Sequence, residues 1–485
     1  MKASYLSVVL SGWASGSGAL HARLAGSIKE AIRYGNLPPG TKLPSERALA
    51  KTLAISRTTV LTAYNDLRSS GWLDSRAGSG TWVNQATAIN ARARTHSGIL
   101  TRSPLLNLLL AEGSGVIDLS VATTKPLTSL PEGALQLPDE ERRWLFEQRD
   151  YMPFGFPALR ERIAARYCDL GVKTSAEQIL ITTGAQQAIF LVTALYVQRG
   201  DPVLVEDPTF FGALEAFRFA GARLAPVPVA ADHISMQTLR NQITTVRPRL
   251  VYITPTFQNP TGVSMGESSR HRLAELISEF EIPMIEDETL AEMVLEGSRP
   301  KPVVACGGEN IFTIGSLSKL FCAGLRVGWV RGSAPQIGRL ARIKSSIDLG
   351  SALLPQAIGA RLLTYLDKAV ELRRRELLAK RDLVEKHLLE RLPEWTFTHP
   401  YGGLSIWAKL PCADAAVFAQ VALRRRVAIA PGNLFSTTDS YPDYVRLPFL
   451  LDPQSLEAGM EQLTEAWREI CGSSVELRNA SATIV

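Results

Sequence analysis

Two kinds of hydrophobic spacing divide the chain. Near its start, Leu20, Leu24, Ile28 and Ile32 recur at helical intervals, and Gly35 ends the helix they predict. Ser45 can cap a second helix over 46–53, and Ser56 a third over 57–70. The third would bury Val60, Ala63, Tyr64 and Leu67, and Gly71 stops it. Trp72-Leu73 and Thr81-Trp-Val83 flank the turn Arg76-Ala-Gly-Ser-Gly80 and read as a short hairpin. Helix, helix-turn-helix and hairpin predict a winged helix over 19–83. A Gly/Ser-rich flexible N-terminus, 1–18, would precede it.

From 116 the pattern changes to short apolar runs alternating with helical stretches. The runs at 178–183, 202–206, 250–254, 283–286 and 311–315 predict strands of an α/β fold. Its mostly parallel central sheet would be covered by helices on both faces. A helical stretch over 356–391 and strands at 403–409 and 444–448 predict a small C-terminal α+β subdomain. The body therefore spans 116–472, with a tail at 473–485. Residues 84–115 read as a linker, in which the run Leu105–Leu110 would dock on a neighbour.

Charge sharpens this division. Residues 1–83 hold ten Lys/Arg and four Asp/Glu, and the rest of the 485-residue chain is neutral. A basic head on a neutral body points to a polyanionic partner for the head alone. Five scattered cysteines without a Cys-x-x-Cys pair fit neither a disulfide framework nor a metal site, and fit a reducing cytoplasm. The apolar run in 1–10 is short and interrupted by serines, so it is not read as an export signal. No apolar stretch approaches the ~20 residues of a membrane span.

In a helix-turn-helix the second helix enters the major groove, and its first residues meet base edges. Here these are Ser56, Arg57, Thr58 and Thr59, with Arg57 able to form a bidentate contact to guanine. Ser45, Arg47 and Lys51 on the preceding element suit phosphates, and Arg76, Gly78 and Ser79 suit a wing tip on the DNA backbone or in the minor groove. The segments Gly40-Thr-Lys-Leu-Pro-Ser-Glu-Arg, Ser56-Arg-Thr-Thr-Val60 and Gly80-Thr-Trp-Val83 closely resemble the GntR-type winged helix. The likeness implies that the head binds operator DNA.

A second set of residues suits an aldehyde cofactor. Lys319, just beyond the strand 311–315, offers an amine that burial and the nearby Arg326 would keep neutral. Ser316, Ser318, Arg326 and the strand-to-helix turn Gly184-Ala185-Gln186 offer donors to a phosphate. Asp287 at a strand end could keep a pyridine nitrogen protonated, Asn259 could donate to a ring oxygen, and Phe210 could stack on a ring. Arg446 could clamp a substrate carboxylate. Together these are the demands of pyridoxal 5′-phosphate (PLP), with Lys319 as the catalytic amine. Their order and spacing resemble the fold type I aminotransferases over roughly 116–472.

Both halves together resemble the MocR family of transcription regulators. The resemblance implies a homodimer in which each head packs near the other subunit's body. An amino acid or amine effector, held through its carboxylate, would then bias how the head meets DNA. The alternative reading is a working aminotransferase with a DNA-binding head; a third is a body that serves only as a dimerisation scaffold. One departure bears on the choice. Many relatives read Glu-Asp-Asp-Tyr at the strand end, whereas this chain reads Glu286-Asp-Glu-Thr289. The absent phenol weighs against full transaminase turnover more than against cofactor binding. Phe210 likewise replaces a frequent tyrosine.

Overall fold

The structure is a computed structural model that describes residues 3–10, 13, 18–33, 37–76, 80–84, 115–127, 130–131, 133–147, 151–230, 233–411, 414–438 and 440–482. The head forms as its periodicity dictates. Helices Leu20–Arg33, Glu46–Leu53 and Arg57–Ser69 enclose Leu24, Ile28, Ile32, Leu49, Leu53, Val60 and Tyr64. Strands β1 (Lys42–Leu43), β2 (Leu73–Arg76) and β3 (Gly80–Val83) make an antiparallel wing in the order β1-β3-β2. The buried Tyr64 hydroxyl donates to the Pro44 carbonyl at 3.1 Å, tying its helix to the residue just after β1.

The flexible N-terminus expected over 1–18 is corrected where it is described. Ala3–Val9 is a helix, and Leu6, Leu10 and Trp13 lie in the head core. Their spacing of three to four residues is itself helical, and burial of three large apolar side chains outweighs the Gly/Ser signal beside them. The boundary expected at 472 is also absent, since one helix runs from Pro453 to Ala482. The linker run Leu105–Leu110 lies outside the described residues, as do the wing-tip residues Gly78 and Ser79.

The body holds β4 (Ile117–Leu119), β5 (Ile179–Thr182), β6 (Pro202–Asp207), β7 (Arg223–Ala230), β8 (His233–Ile234), β9 (Leu250–Ile253), β10 (Met284–Asp287), β11 (Ile311–Ser316) and β12 (Gly328–Arg331). The large sheet runs β5-β12-β11-β10-β9-β6-β7-β8, with a parallel centre from β11 to β7. Strands β5, β9 and β10 are buried at every residue, as expected between two helical layers. Three strands of the large sheet escape the sequence pattern, the two-residue β8 among them. Strand β7 carries Pro226 and Pro228, which argue against a strand, yet β8 pairs only with Val229 and Ala230, so the prolines sit on an open edge. Strand β12 alternates buried and half-buried positions and has no apolar run.

The small subdomain contains β13 (Thr396–Phe397), β14 (Ser405–Lys409), β15 (Val427–Pro431) and β16 (Tyr444–Pro448), in the order β13-β14-β16-β15-β4. Its edge strand β4 comes from the start of the body and runs parallel to β15. The sequence therefore predicted β14 and β16 of the subdomain but not β13, β15 or the N-terminal strand β4. The head rests on this subdomain of its own chain, with Trp13 Nε1 donating to Gln420 at 2.9 Å.

Candidate cofactor and nucleic-acid sites

Lys319 follows β11, and strand ends surround it. Its Nζ donates to the Ala122 carbonyl at 2.7 Å. Burial, then the charges of Arg446 and Arg326, lower its amine to about 8, while Asp287 pulls the other way. An amine at that value is partly neutral near physiological pH, as attack on an aldehyde requires.

Asp287, at the C-terminal end of β10, is buried and accepts three hydrogen bonds. Tyr252 Oη donates to Oδ2 at 2.6 Å, and Thr289 donates to Oδ1 from its N–H (3.0 Å) and its hydroxyl (2.6 Å). Burial and the Asp287 charge push the Tyr252 phenol well above its ordinary value, so it stays a donor. Tyr252 was missed from sequence. The signal was a lone phenol in the aliphatic strand Leu-Val-Tyr-Ile, which pairs in parallel with the strand of Asp287. Thr289 spends its hydroxyl on Asp287 and lines a cavity of about 40 Å³ with Arg166, Glu292 and Trp329, of which Lys319 is not a wall.

The candidate phosphate donors lie on two turns. Gly184, at φ 91°, precedes the helix Ala185–Tyr196, whose first N–H groups lack helical partners. A Cβ at Gly184 would sit 2.6 Å from Arg326 Nη2, so only glycine allows this approach. Arg326 Nη2 donates to the Thr183 carbonyl at 2.8 Å. The two serines differ. Ser316 Oγ donates to the Val327 carbonyl and accepts from the Ser318 N–H, holding the loop's shape. Ser318 Oγ is buried without a partner. A buried hydroxyl normally has one, so Ser318 is the serine poised for an absent acceptor.

Phe210 stands at the N-terminal end of the helix Phe211–Phe219. A Cβ at Gly212 would meet its ring at 2.4 Å and Gln186 Oε1 at 2.6 Å, so this glycine lets ring and amide lie together. Gln258 staples the next loop: its Nε2 donates to Glu206 Oε2 and the Pro208 carbonyl, and its Oε1 accepts from Thr261. The adjacent Asn259 accepts from Arg446 Nη1 at 3.3 Å. Arg446, on β16, is 1% exposed and lies 4.8 Å from the Phe435 ring centroid. Burial lowers its guanidinium to about 10, opposed by Asp118. Its Nη2 donates to the Ser120 carbonyl and its Nε is unpartnered. Arg446 and Lys319 thus both donate to carbonyls of one short segment beyond β4, a relation no local pattern reveals.

In the head, Ser45 Oγ accepts from the Ala48 N–H (3.3 Å) and Ser56 Oγ from the Thr59 N–H (3.1 Å), so both serines are helix caps. Arg47, Lys51, Arg57 and Thr58 are exposed around them, and Thr59 is half-buried. Arg76 closes β2. Further cations flank the wing: Lys29 and Arg33 lie over Trp72, and Lys42 over Trp82.

The family model for bacterial regulatory proteins of the gntR family matches residues 20–83, and that for aminotransferase class I and II matches 146–463. The uncharacterized HTH-type transcriptional regulator YisV of Bacillus subtilis (strain 168) is 30% identical over 93% of this chain and 96% of its own length. The probable rhizopine catabolism regulatory protein MocR of Rhizobium meliloti is 27% identical over 92% and 94%.

The chain belongs to the MocR family of transcription regulators.

Solved structures carry the fold of this MocR-family body. Kynurenine aminotransferase of Pyrococcus horikoshii, solved with PMP, superposes with a TM-score of 0.69 at 29% identity, covering 76% of this chain and 95% of the other. LysN, the alpha-aminoadipate aminotransferase of Thermus thermophilus, gives 0.69 at 28% with the same coverage. Its bound molecule is N-(5′-phosphopyridoxyl)-L-leucine. The MocR-family chain therefore joins a winged-helix head to a fold type I aminotransferase body.

Proposed function

We propose that this regulator holds PLP on Lys319 and senses an amino acid through it. PLP, when bound, supplies an aldehyde that reacts with primary amines. The residues fit that group: Asp287 for the ring nitrogen, Phe210 for the ring face, Asn259 for the ring oxygen, and Gly184, Ala185, Gln186, Ser318 and Arg326 for the phosphate. Ser316 contributes by shaping the loop. The observation that carries this reading is that Lys319 and Arg446 meet on one short segment, donating to the Ala122 and Ser120 carbonyls, while burial and the charges of Arg446 and Arg326 lower the Lys319 amine to about 8. The incoming amine competes with Lys319 while its carboxylate takes Arg446.

Sensing is favoured over turnover because Thr289 gives no phenol to the ring and is bound to Asp287. The head reads operator DNA through Arg57, Thr58 and Thr59, with Ser45, Arg47, Lys51, Ser56 and the wing residues Arg76, Gly78 and Ser79 on the backbone. The functional unit is a cytoplasmic homodimer.

The test is spectral and electrophoretic. Purified protein supplied with PLP should show a visible band that Lys319→Ala removes. DNA from upstream of its own gene should be retarded, and more weakly so for Arg57→Ala. A colourless wild type, or retardation unchanged in Arg57→Ala, would contradict the respective half.

A further inference from the structure

The head and body are joined at the point where recognition begins. Helix Glu46–Leu53 ends at Ala54, which is left-handed at φ 51°. The carbonyls of such a last turn lack helical partners and carry the negative end of the helix dipole. Arg424, which ends the helix Ala415–Arg424 of the body, supplies a partner. Its Nη1 donates to the Leu53 carbonyl at 3.2 Å and the Ala54 carbonyl at 3.1 Å. Two residues on, Ser56 caps the recognition helix. Arg424 therefore grips the turn between the two helices of the motif. Glu469 braces it from the body at 3.4 Å, and Gln420, one helical turn back, holds Trp13.

The same stretch leads into the effector pocket. Beyond Arg424 the chain enters β15, and the Arg426 carbonyl accepts from the Ile117 N–H at 2.8 Å. From there β4 runs parallel to β15 and continues into Ser120 and Ala122, whose carbonyls hold Arg446 and Lys319. On the other side of β15, Ala430 faces Arg446 in register. Pocket and head thus share one ladder.

We propose that Arg424 is a positioning residue for operator recognition, setting the recognition helix relative to the body. Pocket occupancy reaches it along β4 and β15. A carboxylate on Arg446 would compete with the Ser120 carbonyl and loosen the end of β4 whose start is bonded to Arg426. This inference rests on the regulator reading above.

Linkage supplies a test that needs no effector: if the pocket biases DNA binding, DNA must bias the pocket by the same factor. The PLP dissociation constant of full-length protein is measured with and without duplex DNA from upstream of its gene. Wild type, Arg424→Ala, Arg424→Lys and Arg425→Ala are compared. Amide hydrogen exchange over 53–58 is followed in parallel without DNA. DNA should shift the wild-type constant by about fivefold or more. In Arg424→Ala the shift should fall below about twofold, with exchange at 53–58 faster by roughly tenfold. Arg424→Lys, which keeps one charged donor, should restore part of both. Arg425→Ala, whose partner is Glu469 on the body, should match wild type.

Wild-type coupling and exchange in Arg424→Ala would overturn the proposal. A wild type that binds no DNA or no PLP would overturn the regulator reading instead. Exchange over 53–58 would then judge the seam by itself, and unchanged exchange in Arg424→Ala would sink it.

Discussion

Tyr252 donates to Asp287 across two parallel strands, 2.6 Å from the carboxylate that faces the candidate ring site. The phenol is fully buried and stays protonated at any physiological pH. Hydrogen bonds to a charged group contribute ~1.5–3 kcal/mol. Tyr252→Phe keeps the ring and removes only this donor. PLP affinity should fall by about tenfold with the fold intact, as read by titration of the visible band. Unchanged affinity would leave Tyr252 as packing alone.

The Lys319 amine supplies a pH dependence. Burial disfavours the charged form, so the neutral amine becomes available at a lower pH than for a free lysine. Capture of PLP by the cofactor-free protein should accelerate up to about pH 8 and then level off. A rate still climbing toward ~10.4, the value of an ordinary lysine, would contradict the enclosure described for this amine.

The caps of the head can be tested without DNA. Ser56 accepts the Thr59 N–H at the start of the recognition helix, and loss of such a cap costs ~0.5–2 kcal/mol. Ser56→Ala should lower the melting temperature of the head, and Ser56→Gly should cost only a few tenths of a kcal/mol. Equal losses for both would mean that the hydroxyl does not act as a cap.

Arg446 separates a carboxylate clamp from a general role in the pocket. Arg446→Ala should retain the PLP band and lose the spectral response to amino acids, while the response to a simple amine without a carboxylate persists. Arg446→Lys should recover little, because the planar fork that pairs with a carboxylate is gone. Loss of both responses would assign Arg446 to the architecture of the site.

What was legible in the sequence was local or carried by order along the chain. The head followed from the spacing of Leu24, Ile28, Val60 and Tyr64 and from the caps Ser45 and Ser56. The candidate cofactor residues came from motifs at strand ends, where a parallel sheet gathers side chains from distant segments. What stayed hidden depends on pairings between segments far apart. Tyr252 meets Asp287 only because β9 lies beside β10. Ser120 and Ala122 act through backbone carbonyls, which leave no mark in residue identity. Arg424 is one of three consecutive arginines, and only the placement of the head distinguishes it. The helix over Ala3–Val9 was obscured by the Gly/Ser-rich stretch that follows.

On the regulator reading, one pocket both binds an amine and governs the head. The most direct test measures the affinity of PLP-loaded protein for DNA from upstream of its gene across a panel of amino acids, with the visible band followed in the same samples. At least one amino acid should shift the band and the DNA affinity together, and Lys319→Ala should respond to none. Amino acids that shift the band and are turned over to ketoacids, with DNA affinity unchanged throughout, would contradict the account and make the body an enzyme.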